Sequence, residues 1–349
     1  MTARTPVLTN PTHSPAGPRM PAEWAPHERT IMGWPVRTHV WGSELTAAMR
    51  DYALCARAIA RFEPVTMLAP RQHLDAAADL CGPAVEVIEF DIDDSWLRDS
   101  GPMYVLAEGR RDIVGWQFNS WGGKFLPYDH DRTVKYRWGQ RRGESIVDED
   151  MVLEGGSISV DGEGTLLTTE QCLLHPNRNP SMTRAQIEQR IRTRLGVDTI
   201  VWIPFGLNDD DDTDGHVDNV ACFVRPGVVM VQGSDDPDEP DHDRLSVNRR
   251  CIEGTIDAAG RALEVIELPV LPFVEIGGVR APVPYLNFYL GNGAVIVPVC
   301  GHRRDAEMLS IIADAFPDRE VVAVPGATFA LGGGGVHCIT QQVPAEPTR

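Results

Sequence analysis

"VACFVRPGVVMVQG", residues 220–233, sets two short apolar runs on either side of a Pro-Gly pair. Val-rich runs joined by a turn pair of this kind predict a β-hairpin. The same form returns in "SISVDGEGTLLTTE" (157–170) and "NFYLGNGAVIVPV" (287–299), and the turns are spaced by about 65 residues in both steps. A looser fourth copy is "MYVLAEGRRDIVGWQF" (103–118), with its turn near Gly109. A hairpin alone cannot bury its apolar face, so a regular series of hairpins predicts one repeated architecture.

Outward from each hairpin the chain reads as a helix and then one more strand. "TRAQIEQRIRTRL" (183–195) leads into "TIVWIPF" (199–205), "DRLSVNRRCIEGTIDAAG" (243–260) into "LEVIELPV", and "RRDAEMLSIIADAF" (303–316) into "EVVAVPG". Near the start, "SELTAAMRDYALCARAIARF" (43–62) leads into "PVTMLAP", and "HLDAAADLC" (73–81) into "VEVIEFD". The amphipathic stretches predict helices and the short Val/Ile runs buried strands. The unit is β-β-α-β, and roughly five copies fit from residue 20 onward. The fifth combines "VHCITQQV" near the C-terminus with "TIMGWP" (30–35), and pairing the two ends removes exposed sheet edges. The expected fold is therefore a single α/β domain over residues 20–349, a closed pseudo-fivefold propeller of ββαβ units. Residues 1–19, with four prolines and no apolar stretch, read as a disordered tail and not as a secretory signal.

Among 349 residues, 50 acidic against 32 basic side chains give a net charge of −18. That balance argues against nucleic acid and anionic membrane as partners and suits a cationic substrate. No apolar run approaches the roughly 18–20 residues of a membrane span. Seven cysteines without a CxxC spacing do not form a disulfide framework, which points to a reducing cytoplasm and leaves thiols for chemistry.

The candidate chemistry falls where one unit passes into the next hairpin. These junctions read "DSWLRDSGP" (94–102), "LEGGS" (153–157), "GLNDDDDTDGHVDN" (206–219) and "GGGGVHC" (332–338). In a closed ring, equivalent junctions converge on one axis, so Asp99, Glu154, His216, Asp218 and Cys338 would face a common pocket. Singly, each has an ordinary reading as a turn or loop residue. Asp210, Asp212, Asp214 and Gly215 fit the first half of a calcium loop, but its twelfth position is Ala221 and the segment enters a strand. A zinc site of His216, Asp218 and Cys338 would be an odd donor set, so no metal and no organic cofactor are expected. His216 and Asp218, two apart in an expected strand, share a face; His337, beside Cys338, should point the other way.

A thiol with a histidine offers a nucleophile and an acid/base, and carboxylates around them suit a guanidinium, which pairs with carboxylates through two N–H groups. Attack at the guanidinium carbon would expel ammonia and leave a thiouronium for water to hydrolyse. The acids raise the thiol's pKa, so a bound cation or protonated His216 must favour thiolate.

"MPAEWAPHERTIMGWP", "DSWLRDSGP", "FNSWGGK", "EGGSISVDGEGTLLTTEQCLLHPNRNP", "DTDGHVDN", "YLNFYLGNG" and "GGGGVHCITQQVPAEP" together resemble the agmatine deiminase branch of the guanidino-modifying pentein superfamily, close to the bacterial-type peptidylarginine deiminases. The resemblance runs over nearly the whole chain from Met20. It implies a five-bladed α/β propeller, a covalent amidino-cysteine mechanism and a homodimer. It also implies Cys338 as nucleophile, His216 as general acid/base oriented by Glu154, Asp99 and Asp218 as the guanidinium grip, and Trp96 as a pocket wall. The segment "VRAPVPY" (279–285), the short stretch between Leu263 and Gly278, and Lys135 and Arg137 depart from the pattern. They fall where the far end of the substrate could be held. Arginine, peptidyl-arginine, another small guanidino metabolite and amidino transfer to an amine therefore stay open beside agmatine, as does a non-catalytic propeller that binds cations.

Overall fold

The structure is a computed structural model that describes residues 17–276 and 278–346. Most of the expected tail, residues 1–16, lies outside the described residues. Arg19 already exchanges two backbone hydrogen bonds with Leu106, at 3.0 and 2.8 Å.

The first unit holds β1 (His27–Gly33), β2 (Val65–Ala69) and β3 (Val85–Glu89), with helices Leu45–Ile59 and Leu74–Cys81 between them. The second holds β4 (Met103–Ala107), β5 (Arg110–Gln117) and β6 (Ser145–Val152), with helix Val134–Arg142 before β6. In the third, β7 (Ile158–Val160) and β8 (Thr165–Thr169) precede helix Arg184–Leu195 and β9 (Thr199–Ile203). In the fourth, β10 (Ala221–Arg225) and β11 (Val228–Gln232) precede helix His242–Ile252 and β12 (Glu264–Leu268). A separate hairpin, β13 (Phe273–Ile276) and β14 (Val279–Pro282), comes next. The last unit holds β15 (Tyr289–Gly291), β16 (Ala294–Val299), helix Asp305–Ala315 and β17 (Glu320–Pro325), and β18 (Thr340–Pro344) follows.

One pairing rule runs through these α/β units. The hairpin strands pair antiparallel, and the strand after the helix adds parallel to the second of them. The helix is the crossover that a parallel neighbour requires. In the first sheet β18 supplies the hairpin partner: it lies antiparallel to β1, with β2 and β3 added in parallel. The expected pairing of the two ends is present. Beside it, Glu63 accepts from Thr30 Oγ1 (2.5 Å), Tyr289 Oη (3.2 Å) and the Asn292 backbone (2.6 Å), tying the first sheet to the last.

Local sequence accounts for the helix boundaries. Thr183 and Gln186 form a capping box ahead of Arg184–Leu195, and Ile187, Ile191 and Leu195 bury one stripe of that helix before Gly196 turns left-handed at φ 66°. β11 is buried along its whole length, which explains its apolar run Val228–Val231, and β8 is equally buried, its threonine hydroxyls each holding a backbone partner. Two expectations change. The helix expected over 243–260 stops at Ile252, because Gly254 takes φ +78° and a bridge joins Ile256 to Ala262. The β13–β14 hairpin has no counterpart in the repeat read from sequence.

Candidate active site

The glycines before Cys338 are there for space. A Cβ at Gly332 would strike Trp41, at Gly333 Asp212, and at Gly335 the Asn287 amide; at Gly334 it would lie 2.6 Å from Trp96 Cζ3. Of the four, only Gly333 has a positive φ. The backbone is thus packed between side chains that themselves belong to the site, and Cys338 is 6 % exposed. Residues 336–339 form a turn, with the Ile339 amide bonded to the Gly335 carbonyl at 3.3 Å and the Thr340 amide to the His337 carbonyl at 3.2 Å. Strand alternation therefore does not apply here, and His337 and Cys338 reach the same carboxylate.

That carboxylate is Asp218. Its Oδ2 accepts from His337 Nδ1 at 2.9 Å and lies 3.5 Å from Cys338 Sγ, while its Oδ1 is buried with no partner. His216 and Asp218 do not share a strand as expected; Val217–Asn219 is a 3-10 turn leading into β10. Asp99, on the helical turn Leu97–Ser100, accepts from the Gly156 amide (2.9 Å) and from Trp121 Nε1 (3.0 Å). His216 Nδ1 stands 3.8 Å from Asp99 Oδ2. Gly156 is the point where these groups meet: a Cβ there would lie 2.5 Å from His216 Nδ1, 2.9 Å from Asp218 Oδ2 and 3.0 Å from Asp99 Oδ1.

The charges set each protonation state. Burial opposes the imidazolium of His216, but Asp99, Cys172 and Asp218 outweigh it and hold its pKa well above the ordinary histidine value. Burial, then Asp218 and Asp99, pushes the Cys338 thiol well above the usual cysteine range. Asp99 is raised by burial, and Asp218 is lowered because His337, His216 and Arg98 overcome burial.

Glu154 is completely buried after β6, and its Oε1 accepts from Arg178 Nε at 2.6 Å. Its Oε2 has no partner, and both His216 ring nitrogens lack a well-formed hydrogen bond. Glu154, Cys172 and His216 bring one ligand atom each within 4.8 Å of one another. A cation at Glu154 is already present in Arg178, which also donates to Asp214 Oδ2 (2.6 Å) and the Thr213 carbonyl (2.8 Å). The Asp210/Asp212/Asp214 run does not converge as a calcium loop would. Asp210 bonds Thr213 and the His216 amide, Asp214 pairs with Lys124 and Arg178, and Asp212 faces the pocket.

Above Cys338 opens a pocket of about 350 Å³, walled by Trp96, Trp121 and Phe125 and carrying Asp99 and Asp212. Trp96, the expected wall, is itself stacked on Trp41 at 5.8 Å. Burial, then Asp210, raises Asp212 to about 6. A family model described as Porphyromonas-type peptidyl-arginine deiminase matches residues 19–344. The chain belongs to that family. It is 44% identical to the agmatine deiminase of Pseudomonas aeruginosa (strain LESB58), covering 97% of this chain and 99% of the relative. It is 43% identical to that of Stutzerimonas stutzeri (strain A1501), covering 98% and 100%. Among solved structures, the agmatine deiminase of Enterococcus faecalis superposes with a TM-score of 0.92 at 34% identity, covering 95% of this chain and 97% of that one.

For a member of the Porphyromonas-type deiminase family, this structure adds residues that sequence reasoning passed over. Asn287, at the junction before β15, donates to Cys338 Sγ at 3.3 Å and accepts from the His337 amide at 3.0 Å. Its place at the fifth junction was a signal that could have found it. Arg178 in "HPNRNP" and Trp121 in "SWGGK" sat inside quoted motifs, yet only the fold brings them to Glu154 and Asp99. The departures divide. Lys135 and Arg137 spend their charge on backbone carbonyls outside the pocket. Arg280 and Pro282 of "VRAPVPY" line a second cavity of about 620 Å³ that shares Asp212 and Gly333 with the first.

Proposed function

We propose that this protein is an agmatine deiminase, hydrolysing the substrate's guanidinium to N-carbamoylputrescine and ammonia through an amidino-cysteine. The observation that carries the reading is the meeting of His216 and the two buried carboxylates Asp99 and Asp218 at Gly156, with the Cys338 thiol 3.5 Å from Asp218 and a third acid, Asp212, on the pocket wall. A guanidinium fits between Asp99 and Asp218, where the unpartnered Oδ1 of Asp218 can accept. Its positive charge offsets the repulsion that keeps Cys338 protonated, so binding releases the thiol proton to solvent. The thiolate forms a bond to the guanidinium carbon. His216 gives its proton to the departing nitrogen, and ammonia leaves as the C–N bond breaks. His216, now neutral, takes a proton from water. The hydroxide adds to the thiouronium carbon; as this adduct collapses the C–S bond breaks, the ureido C=O forms, and the hydroxyl proton passes to the departing sulfur, restoring the thiol.

Substrate class follows from the far end. Among the described residues lining the Cys338 pocket none is Lys or Arg. Arg280, in the adjoining cavity, is paired with Asp209 (3.1 Å) and Glu239 (2.6 Å). A carboxylate on the substrate finds no unpaired cation there, whereas an amine finds Asp212. This favours an aminoalkyl guanidine over arginine. We further infer that the five sheets close into a pseudo-fivefold propeller, supported by their common pairing rule and the β1–β18 seam. The protein works without a resident metal or organic cofactor in this scheme, in the cytoplasm.

The test offers agmatine, arginine and an arginine-containing peptide to purified protein, reading ureido product and ammonia, with Cys338→Ala as control. Agmatine turnover that disappears in the variant supports the reading. Turnover of arginine or peptide with agmatine inert overturns the assignment of substrate, and Cys338→Ala retaining activity overturns the mechanism.

A further inference from the structure

His337 lies beside Cys338 in sequence but is absent from the substrate pocket. It lines a separate narrow crevice together with Asp218, Glu23, Cys222 and Phe288. Its two ring nitrogens are both engaged: Nδ1 with Asp218 Oδ2 at 2.9 Å and Nε2 with Glu23 Oε1 at 2.8 Å. Ionised carboxylates can only accept, and a neutral imidazole has a single N–H. Both contacts are hydrogen bonds only when the ring is an imidazolium.

We propose that His337 and Glu23 are a positioning pair, a cation clamped between two carboxylates that holds Asp218 in place as an acceptor for the substrate's guanidinium. This rests on the reading of Asp218 as part of the guanidinium grip. The clamp is fixed from several sides. Glu23 is also met by Arg98 (3.3 Å), whose Nη1 donates to Gln342 (2.8 Å) and whose Nε donates to the His337 carbonyl (3.3 Å). The His337 amide donates to the Asn287 side chain and backbone carbonyl. The titratable and charged groups around the clamp are Asp218, Glu23 and Arg98, then His216, Asp99 and Cys338 on the substrate side, and His27 and Cys222 behind. Their directions agree with the geometry. Burial raises Glu23, yet His337 and Arg98 bring it down to about 2, and His337 is raised although burial and Arg98 oppose it.

The separation of roles is clear in space. Cys338 and His337 share one oxygen of Asp218, so a single imidazolium compensates the charge on Oδ2 and leaves Oδ1, buried and unpartnered, as the free acceptor. Without it, two buried acids face each other across the Gly156 position with only His216 between them, and one is driven to take a proton. A protonated Asp218 no longer attracts a guanidinium.

The experiment compares wild type with His337→Asn, Glu23→Gln and Asp218→Asn. The readouts are the pH dependence of kcat/KM for agmatine and the inhibition constant of butylguanidinium, with folding checked by circular dichroism. His337→Asn keeps an N–H near Asp218 but carries no charge and does not span to Glu23. We expect a tenfold or greater rise in KM at pH 7, roughly the loss of one charged hydrogen bond, with kcat changed less. The acid limb should move up by about one pH unit, with a smaller shift in the same direction for Glu23→Gln. An unmoved acid limb in both variants, while Asp218→Asn loses guanidinium binding, overturns the clamp. A uniform fall in kcat without a pH shift does the same, since a merely structural role predicts it. If Asp218→Asn binds butylguanidinium as wild type does, the grip itself is wrong and the inference falls with it. Should His337→Asn not fold, the nearly isosteric Glu23→Gln carries the test alone.

Discussion

Gly156→Ala is the sharpest single perturbation of this site, because the residue has an ordinary backbone conformation and only its surroundings forbid a methyl group. The new Cβ would lie 2.5 Å from His216 Nδ1, and ordinary contact begins at 3.4 Å, so the imidazole must retreat by about 0.9 Å. Asp218 and Asp99, at 2.9 and 3.0 Å, must each give way by about half an ångström. Overpacking of this kind costs about 1–3 kcal/mol of stability. Misplacing an acid/base group by about 1 Å costs about 100-fold in rate. The expected variant is folded, melts a few degrees lower, and has kcat/KM for agmatine down by about 100-fold or more. Steady-state kinetics beside a thermal melt measure both. A folded Gly156→Ala protein within threefold of wild-type kcat/KM would refute the convergence of His216, Asp99 and Asp218 at that point.

The raised pKa of Cys338, caused by burial and then by Asp218 and Asp99, predicts slow alkylation by neutral iodoacetamide at pH 7, rising with pH, and much faster labelling by a cationic haloacetamidine; mass spectrometry of Cys338 reads both rates. Asp212→Asn should raise KM for agmatine roughly tenfold or more while leaving inhibition by butylguanidinium, which lacks the far amine, nearly unchanged. Arg178→Met strands the buried Glu154 carboxylate and should destabilise the fold by about 3–5 kcal/mol in a denaturant titration, with Glu154→Gln in the same chain recovering part of the loss. Asp214 is held at about 2, with burial opposing and Lys124, Asn177 and Arg178 lowering it. A depressed carboxyl contributes stability that is full above the ordinary range and lost as pH falls from about 4 to about 2, so the melting temperature should drop through that window and less steeply in Asp214→Asn.

How much of this was legible in the sequence depended on whether a feature was periodic. The hairpin-helix-strand repeat is a pattern of side-chain character along the chain, and so is the pairing of "TIMGWP" with the C-terminal strand, which was required to leave no edge. The junction residues Asp99, Glu154, His216, Asp218 and Cys338 followed from that repeat and do gather near one another. What stayed hidden lacks a period. Arg178 reaches Glu154 across 24 positions and Glu23 reaches His337 across 314, distances over which only the folded chain brings charges together. His337 does face away from the substrate pocket, but its bond to Asp218 went unread because alternation was assumed where four residues form a turn. The β13–β14 hairpin was missed because it stands outside the repeat, and it is this irregular piece that lines the second cavity beside the pocket.

The β1–β18 seam carries one more consequence. Every other sheet is made from a continuous stretch of chain, but the first needs a strand from beyond all the others. The thiol sits two residues before that strand. Its contacts are the most distant along the chain and cost the most loop-closure entropy, so the seam is a natural place for the native state to open partially. Peeling β18 away would withdraw Cys338, His337 and their bonds to Asp218 in one motion while leaving the three-stranded sheets paired. Catalysis would then be lost at a milder dose of heat or denaturant than secondary structure. A thiol buried in the native state would become reactive to general alkylators as the earliest chemical sign of unfolding.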